Sequence, residues 1–584
     1  MRRLLPFILF LLMSGLSVAS EPLELDRIVV TPEGDYSLGV VTQGQIEREN
    51  SLVDALSDSG GVDLRQRGPI GVQQDLSLRG STYEQSAVLI DGLRVMDPQT
   101  GHHNLDIPFT SFDVQRIDIE KEGVSSKYGA GAFSGSANFI IKKPVKRKLI
   151  LNTEFGENAL FGQGVSFSQP YKDFLTRISF ENKVAKAARP NTDFQYKTAS
   201  AYLERDFGDA LFDSLFGYQK KDFGADSFYS NLFPEEEEHT ETIFTKTGVE
   251  NKLDLGTLKN SVYFRRHRDK FILKRNSPTP VNYHTTYVYG LNSQINIPFS
   301  LGDLLLGLDA GKDQINSTNL GSHERLFEAG STGFVLKPIK GWDAECRFRV
   351  DNYQKWGSQE SYNLGLGYDV IPESLKLKSS FSRAFRIPSF TELYYSDAAN
   401  RGNAELKEET SDNFRVGFDY KNEKIAFGLE GFLRRGRDLI DWTRYSENDV
   451  WQATNLGSVD FKGIEFSAKF KPYLNLTYTY MEADKGQSGF LSKYALDILK
   501  HQLLIGLNQK VLGLNFNWQF SYNQRYYGDT YFVGNLYLGK KIAKRDFTLE
   551  PFVRIDNFSN AKYTEVGGVL TPGRWIKSGL RLEW

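Results

Sequence analysis

The chain has 584 residues, enough for several soluble domains, and its 71 basic and 73 acidic residues show no bias towards nucleic acid. A single cysteine, Cys346, excludes an intramolecular disulfide framework. Seven histidines, scattered along the chain, argue against a structural zinc site.

The first twenty residues have the pattern of a secretion signal. Arg2 and Arg3 precede an apolar stretch over residues 4–16, and the small residues of SVAS follow at 17–20. This order predicts a signal peptide over residues 1–20 and an exported protein. The apolar stretch is shorter than the ~20 residues that cross a bilayer, so a membrane anchor is the weaker alternative.

The segment DRIVVTP, residues 26–32, reads as a strand without a partner. Its centre is a run of β-branched residues with high strand preference, and Pro32 ends it. No second strand or hairpin turn follows closely enough to pair with it. A disordered tail is the alternative interpretation.

Residues 35–144 predict a compact α+β domain. An amphipathic pattern over residues 46–56 predicts a short helix. Pro144 and the basic VKRK that follows it mark the end of the domain. Short strands punctuated by glycine are predicted in DLSLRG (75–80), SAVLIDG (86–92), VQRIDIEK (114–121) and GSANFIIKK (135–143).

Residues 145–584 alternate between apolar and polar side chains. In the final segment, Ile576 and Leu580 fall on one face while Lys577 and Arg581 fall on the other. LNLTYTYM (474–481) and FTLEPFVRID (547–556) repeat the pattern, which marks half-exposed strands. The polar face carries many charges, which suits a wet lumen better than a dry sandwich core.

Composition supports a membrane barrel. Aromatic residues make up 13% of the chain, with 52 Gly and only 4 Met, which favours strands and turns. Alternation lets such a barrel keep a mean hydropathy as low as −0.42. Dividing the ~440 residues among 22 strands gives ~20 residues for each strand with its connection. A strand needs ~9–11 residues to span the membrane, so room remains for turns and several long loops. Fewer strands with longer loops, or a secreted β-solenoid or sandwich, are the alternatives.

Several motifs resemble those of the TonB-dependent outer-membrane receptors. The resemblance runs from residue 26 to residue 584. It implies an all-β transmembrane barrel of 22 antiparallel strands, residues 145–584, with an N-terminal α+β plug, residues 35–144, in its lumen. It also implies the outer membrane of a Gram-negative bacterium. The matching segments follow the family's order at 75–80, 87–98, 114–143, 381–395, 403–420, 455–466 and 554–574.

The resemblance explains the strand without a partner. Residues 26–32 are similar to the TonB box, which pairs as an added strand with the TonB energy-coupling protein of the inner-membrane proton-motive complex. The residues of this predicted box are Asp26, Arg27, Ile28, Val29, Val30, Thr31 and Pro32. The family further implies a monomer surrounded by outer-membrane lipid, with no cofactor and no catalytic residues.

The ligand is expected to be a scarce small molecule too large for porins. The modest length and the form of the box look most like the cobalamin-receptor branch, and a siderophore, another iron chelate or a haem is the alternative. Two loops of the predicted plug offer hydrogen-bonding side chains, although these also suit turn caps and packing inside the barrel. The candidate ligand contacts are Gln66, Arg67, Gln73, Gln74, Asp97, Gln99, Thr100, His102, His103 and Asn104.

Other functions are disfavoured by the sequence. A passive porin would have neither plug nor box, and an outer-membrane enzyme would not explain the plug. No metal site is expected, apart from weak calcium candidates at Asp222, Asp226 and Glu235 around the acidic run PEEEEH. A solvated acidic loop is the simpler interpretation of that run.

Overall fold

The computed structural model describes residues 39–229, 232–277, 281–485, 489–494, 497–566 and 568–584. The predicted signal peptide (1–20) and the predicted TonB box (26–32) lie outside the described residues. None of the helices among the described residues is long and apolar enough to cross a membrane.

The first part of the described chain is a small α+β domain, the plug. A five-stranded sheet has the order β1-β6-β7-β4-β5, with β4 and β7 parallel and the other neighbours antiparallel, and β2 and β3 form a separate hairpin. The four predicted strands are confirmed as β3, β4, β6 and β7. The elements are β1 (Val40–Thr42), α1 (Gln43–Ile46), a 3-10 helix (Asp54–Asp58), β2 (Val62–Gln66), β3 (Gln74–Leu78), β4 (Ser86–Ile90), β5 (Leu93–Arg94), a second 3-10 helix (Gly101–His103), β6 (Val114–Glu120), α2 (Ser125–Tyr128) and β7 (Gly135–Ile141).

The plug core is built from the two central strands. Every residue of β4 and β7 is buried, because these strands have neighbours on both edges and are covered on both faces. Val88 of β4 and Phe139 of β7 are inaccessible to solvent. At the start of β7, Gly135 has φ +145, and a Cβ there would overlap the carbonyl oxygen of Glu120. Only glycine fits this close approach of two chains.

The predicted helix over residues 46–56 is wrong. The structure has the single turn α1 before it and the 3-10 helix Asp54–Asp58 at its end. The residues between them are bound by the barrel: Arg554 donates to the main-chain oxygen of Arg48 at 2.6 Å and pairs with Glu49 at 2.6 Å. In a continuous helix the Arg48 carbonyl oxygen would accept the main-chain amide four residues later, whereas here it accepts from Arg554, so a tertiary contact overrides the local pattern.

Residues 148–583 contain a closed antiparallel barrel. Among the described residues 22 strands form its wall, as predicted, and β21, β26, β30, β32 and β33 are short additions to its connections. In chain order the strands are β8 (Lys148–Gly156), β9 (Leu160–Tyr171), β10 (Phe174–Ala185), β11 (Phe194–Asp206), β12 (Ala210–Gly224), β13 (Glu237–Leu253), β14 (Gly256–Ile272), β15 (Val281–Phe299), β16 (Gly302–Ser317), β17 (Gly321–Leu336), β18 (Trp342–Tyr353), β19 (Gly357–Ile371), β20 (Leu375–Arg386), β21 (Asn400–Arg401), β22 (Glu409–Lys421), β23 (Ile425–Arg444), β24 (Trp451–Phe470), β25 (Leu474–Lys485), β26 (Leu491–Ser492), β27 (Leu499–Val511), β28 (Leu514–Arg525), β29 (Thr530–Gly539), β30 (Ile542–Ala543), β31 (Thr548–Asp556), β32 (Thr564–Val566), β33 (Val569–Leu570) and β34 (Trp575–Glu583).

The wall strands direct their polar face inward. In the last strand, Lys577 and Arg581 are buried while Ile576 and Leu580 are 38% and 44% exposed. The alternation predicted for this segment is therefore confirmed, with the apolar face outward. This arrangement is that of a barrel in lipid with a polar lumen.

The last strand closes the barrel. β34 pairs with β31 on one side and with β8 on the other, over the register from Lys577 opposite Gly156 to Glu583 opposite Ile150. The connections at one rim of the barrel are tight turns. The other rim, called the long-connection rim, includes residues 387–408 with α3 (Phe390–Tyr394). In outer-membrane barrels the longer loops are extracellular.

Candidate functional site

Two segments of the plug lie against the long-connection rim. The first apical segment, residues 66–74, joins β2 to β3, and the second, residues 95–107, follows β5. The amide of Phe390, in the connection 387–408, donates to the carbonyl oxygen of Pro98 at 2.9 Å. This contact places the second segment at the outer end of the plug, and contacts with Tyr229 place the first one there.

The first apical segment meets a tyrosine of the barrel. Arg67 is buried and pairs with Asp75 at 3.1 Å, and its guanidinium lies 5.4 Å from the ring centre of Tyr229. Gln73 donates its side-chain amide to the Tyr229 hydroxyl at 2.7 Å. Tyr229 belongs to the connection between β12 and β13, so this contact links the plug to an outer connection.

The two flanking glutamines have different surroundings. Gln74 donates to the carboxylate of Asp54 at 2.5 Å, so its side chain is engaged within the plug. Gln66 is half-buried, and its main-chain amide donates to Glu565 at 2.8 Å. Of this pair, Gln66 is the more accessible.

Asp97 anchors the second apical segment to the barrel. Its carboxylate accepts from Arg265 at 2.6 Å and from Thr286 at 3.0 Å, and its main-chain amide donates to Asn104 Oδ1 at 2.8 Å. Burial by itself raises the pKa of the Asp97 carboxyl, but Arg265 with the neighbouring histidines lowers it to about 2. Asp97 is thus a charged anchor, and Asn104 closes the loop.

Gln99 and Thr100 contact carboxylates. Gln99 Nε2 donates to Asp269 Oδ2 at 3.4 Å, and the Thr100 hydroxyl donates to Glu84 at 3.2 Å. Glu84 also accepts the main-chain amide of Gly101 at 2.9 Å. These bonds fix the turn that presents the two histidines.

The adjacent histidines face different neighbours. His102 Nδ1 lies 2.7 Å from Asp75, and its ring stacks on Tyr83 with centres 4.0 Å apart. Although burial raises the pKa of Asp75, His102 and Arg67 hold it below its usual range. The ring of His103 instead lies 4.4 Å from that of His267 on β14.

The structure sorts the predicted ligand contacts into two groups. Arg67, Gln73 and His102 gather around Tyr229, whereas Asp97, Gln99 and His103 face the barrel strands β13 to β15. The site residues that sequence reasoning missed are Tyr83, Glu84, Tyr229, Glu238 and Asp269. Of these, Glu238 and Asp269 lie on strands, and their inward position follows from alternation only once the register is known.

Cavities lie at both ends of the plug. A small one of about 30 Å³ near the second apical segment is bordered by Glu84, Met96 and Asp97. A larger one of about 350 Å³ lies at the opposite, tight-turn rim between the plug residue Arg48 and barrel residues such as Tyr473. The space at the apex is that of about one water molecule.

The three calcium candidates have separate partners. Asp222 lies 2.6 Å from His239, Asp226 lies 3.7 Å from Arg189, and Glu235 lies 3.7 Å from Lys274. Among the described residues, the three do not occur together in a group able to hold one ion.

Family models match both parts of the chain. The model described as "TonB dependent receptor-like, beta-barrel" matches residues 147–564, and the "TonB-dependent Receptor Plug Domain" matches residues 33–136. The barrel match alone spans more than half of the chain.

Relatives and solved structures agree on the architecture. The vitamin B12 transporters BtuB of Vibrio vulnificus and Photobacterium profundum are each 24% identical, over 91% and 85% of this chain and 86% and 82% of their own. The siderophore receptor PirA from Acinetobacter baumannii has a TM-score of 0.77 at 15% identity, covering 93% of this chain and 98% of its own. The FrpB iron transporter from Neisseria meningitidis has a TM-score of 0.78 at 15% identity, covering 94% and 100%. The chain belongs to the TonB-dependent receptors, outer-membrane β-barrels of Gram-negative bacteria that take up large ligands.

Proposed function

We propose that this receptor imports cobalamin or a related corrinoid. The observation that carries the proposal is the similarity to vitamin B12 transporters along most of both chains. The resemblance to siderophore and iron receptors rests on structures about 15% identical and supports the fold alone. An iron chelate is therefore the second candidate and an outcome of the test.

The ligand is proposed to bind at the long-connection rim, against the two apical segments. Nine of the ten predicted contacts are buried, and Gln66 is half-buried. Contact with a large ligand therefore requires the outer connections to move aside from the plug. The tyrosines and amides at the apex would then offer apolar area and hydrogen bonds together.

Transport is proposed to depend on strand addition at residues 26–32. The proposed layout is a signal peptide over 1–20, the box over 26–32, the plug over 35–144 and the barrel over 145–584. In this arrangement TonB binds main-chain groups of an extended box and transmits force to the plug of a monomeric receptor. The β-branched content of the box supports the extended form.

Calorimetry on purified receptor tests the ligand. Cobalamin and a panel of ferric siderophores are titrated into the same preparation, and cobalamin is expected to bind. Gln66→Ala should weaken binding, whereas the matched control Gln509→Ala, exposed at the opposite rim, should not. Binding of a siderophore with no response to cobalamin would replace the corrinoid by an iron chelate.

Uptake of radiolabelled ligand tests the coupling. Val29→Pro removes one main-chain donor from the box, and we expect it to abolish accumulation while binding at the cell surface remains. The control Thr31→Ala keeps the main chain intact and should be mild. Accumulation at the parental rate by Val29→Pro cells would contradict strand addition, and loss of surface binding at normal receptor levels would place this segment in the fold.

A further inference from the structure

We infer that a divalent transition-metal ion binds between plug and barrel, with His103, Glu238 of β13 and Asp269 of β14 as ligands. Nε2 of His103 lies 3.8 Å from Glu238 Oε1 and 3.8 Å from Asp269 Oδ2. Ligand atoms of all three residues lie within 4.8 Å of one another. Two ligands of a tetrahedral ion, each about 2.1 Å from it, are about 3.4 Å apart, so small side-chain movements suffice.

The two carboxylates lack the partners that burial demands. Glu238 is 1% exposed and Asp269 is 6% exposed. In the part of the chain that the structure describes, neither pairs with a lysine or arginine, and Glu238 Oε1 and Asp269 Oδ1 accept no hydrogen bond. Burying unpaired carboxylates side by side is costly, and a divalent cation between them would remove that cost.

Neighbouring groups orient the ligands towards one point. The Tyr229 hydroxyl donates to Glu238 Oε2 at 3.0 Å, which leaves Oε1 facing the site. The carboxylate of Asp106 faces His103 Nδ1 at 3.8 Å, so the opposite ring nitrogen, Nε2, points at the site. A carboxylate behind the imidazole is the usual support of a metal-binding histidine.

A second grouping at the same place is already satisfied. His103, Asp106 and His267 also have ligand atoms within 4.8 Å of one another. However, Asp106 pairs with Lys221 at 2.6 Å and lies 3.0 Å from His267 Nε2. Because this carboxylate has both a cation and a hydrogen bond, the set with Glu238 and Asp269 is the one that needs an ion.

The donor set selects the class of metal. One imidazole nitrogen and two carboxylate oxygens suit Zn²⁺ and similar first-row divalent ions, whereas Ca²⁺ and Mg²⁺ take oxygen ligands. Gln99, whose buried Oε1 has no partner among the described residues, borders the site and offers a neutral fourth ligand. Because His103 belongs to the plug and the carboxylates to the wall, a bound ion would tie the second apical segment to two barrel strands.

Zn²⁺ titration of the full receptor in detergent, after treatment with a chelator, tests the site. We expect one equivalent to bind tightly, and Co²⁺ in its place to give a visible spectrum without thiolate bands. Tyr229→Phe removes a supporting hydrogen bond and should weaken Zn²⁺ binding about 10–100-fold. A larger loss is expected for each ligand variant, His103→Ala, Glu238→Gln and Asp269→Asn. Hydrogen exchange of residues 95–107 should slow on adding Zn²⁺.

His239→Ala is the matched control. His239 follows Glu238 in β13 but points to the other face, where it contacts Asp222, so its loss should leave the affinity unchanged. The mobility shift between unheated and boiled samples verifies that every variant is folded. Folded parental receptor that binds no Zn²⁺, binding that survives His103→Ala, or displacement of Zn²⁺ by equimolar Ca²⁺ would each overturn the inference.

Discussion

Two regions of the plug–barrel interface compensate buried charge in different ways. In the paired region, Arg79 of the plug lies 2.5 Å from Glu430 and 3.4 Å from Glu465, and Lys121 also pairs with Glu465. In the apical region, the barrel again supplies two buried carboxylates, Glu238 and Asp269, but the plug residues that face them are His103 and Gln99. The barrel contributes carboxylates in both regions, whereas the plug contributes cations only in the paired region.

The comparison shows that the carboxylates of the paired region are neutralised by cations of the protein, whereas those of the apical region need a bound ion or a proton. Opposite charges across the paired region satisfy each other whenever the plug is seated, so removing one partner would leave a buried charge uncompensated and destabilise the resting state. Neutral partners leave the apical carboxylates uncompensated until a cation or a proton arrives. The apical region is therefore the part of the interface whose stability depends on conditions at the cell surface.

Breaking the paired region should have the largest effect. Arg79→Met removes the cation closest to the buried Glu430 and one of the two that pair with Glu465, and we expect it to lower the free energy of plug opening by up to about 3 kcal/mol. Hydrogen exchange of residues 114–141, followed by mass spectrometry, measures this opening. Unchanged protection would show that the plug is held by other contacts.

The same kind of change in the apical region should act in the opposite direction. With chelator present, Glu238→Gln removes one of two neighbouring negative charges and should stabilise residues 95–107 by up to about 3 kcal/mol. Added Zn²⁺ should reverse the ranking, because only the parental receptor keeps all three ligands. Destabilisation by Glu238→Gln in chelator would mean that this carboxylate has a cationic partner.

The pH dependence of the apex should depend on Glu84. Burial, and then repulsion from Glu392, raises the pKa of the Glu84 carboxyl from 4.5 to about 8. The folded state therefore binds its proton more tightly than the unfolded state, so plug stability should fall as pH rises through this interval. Glu84→Gln should flatten the fall, measured by hydrogen exchange at several pH values; an unchanged slope would assign it to other groups.

The smallest effect is expected outside the interface. Arg435 and Asp460 lie 4.0 Å apart with side chains 57% and 46% exposed, so water already solvates both charges. Arg435→Met should change the free energy of plug opening by less than about 0.5 kcal/mol. Arg435→Met is the matched control for Arg79→Met. If both variants lowered the free energy of plug opening by a similar amount, the effect would come from the lost positive charge and not from its burial at the interface.

The sequence alone determined the strand content, because that signal is local, whereas the barrel of 22 strands around a plug was predicted from the resemblance of its motifs to the TonB-dependent receptors. A two-residue period in segments such as 575–584 specifies a strand with one wet and one apolar face, whatever its neighbours. The glycine-punctuated motifs of residues 75–143 likewise identified the plug and four of its strands. Residues 46–56 show the limit of local patterns. The predicted helix does not form there, and Arg554 of the barrel binds the main chain of Arg48 and the side chain of Glu49. The TonB box, residues 26–32, stays a prediction.

Only the tertiary structure decided which side chains meet. Histidines that are scattered in the sequence argued against a metal, yet His102, His103, His267 and His284 converge at the apex. His103 reaches Glu238 and Asp269 because barrel register and plug orientation, both set by closure of 22 strands around the plug, bring distant segments together. Alternation fixes that these carboxylates point inward, but no local pattern fixes what they face. Which side chains of the plug and the wall come into contact is decided by the assembled barrel, and the chemistry of the apex depends on these contacts.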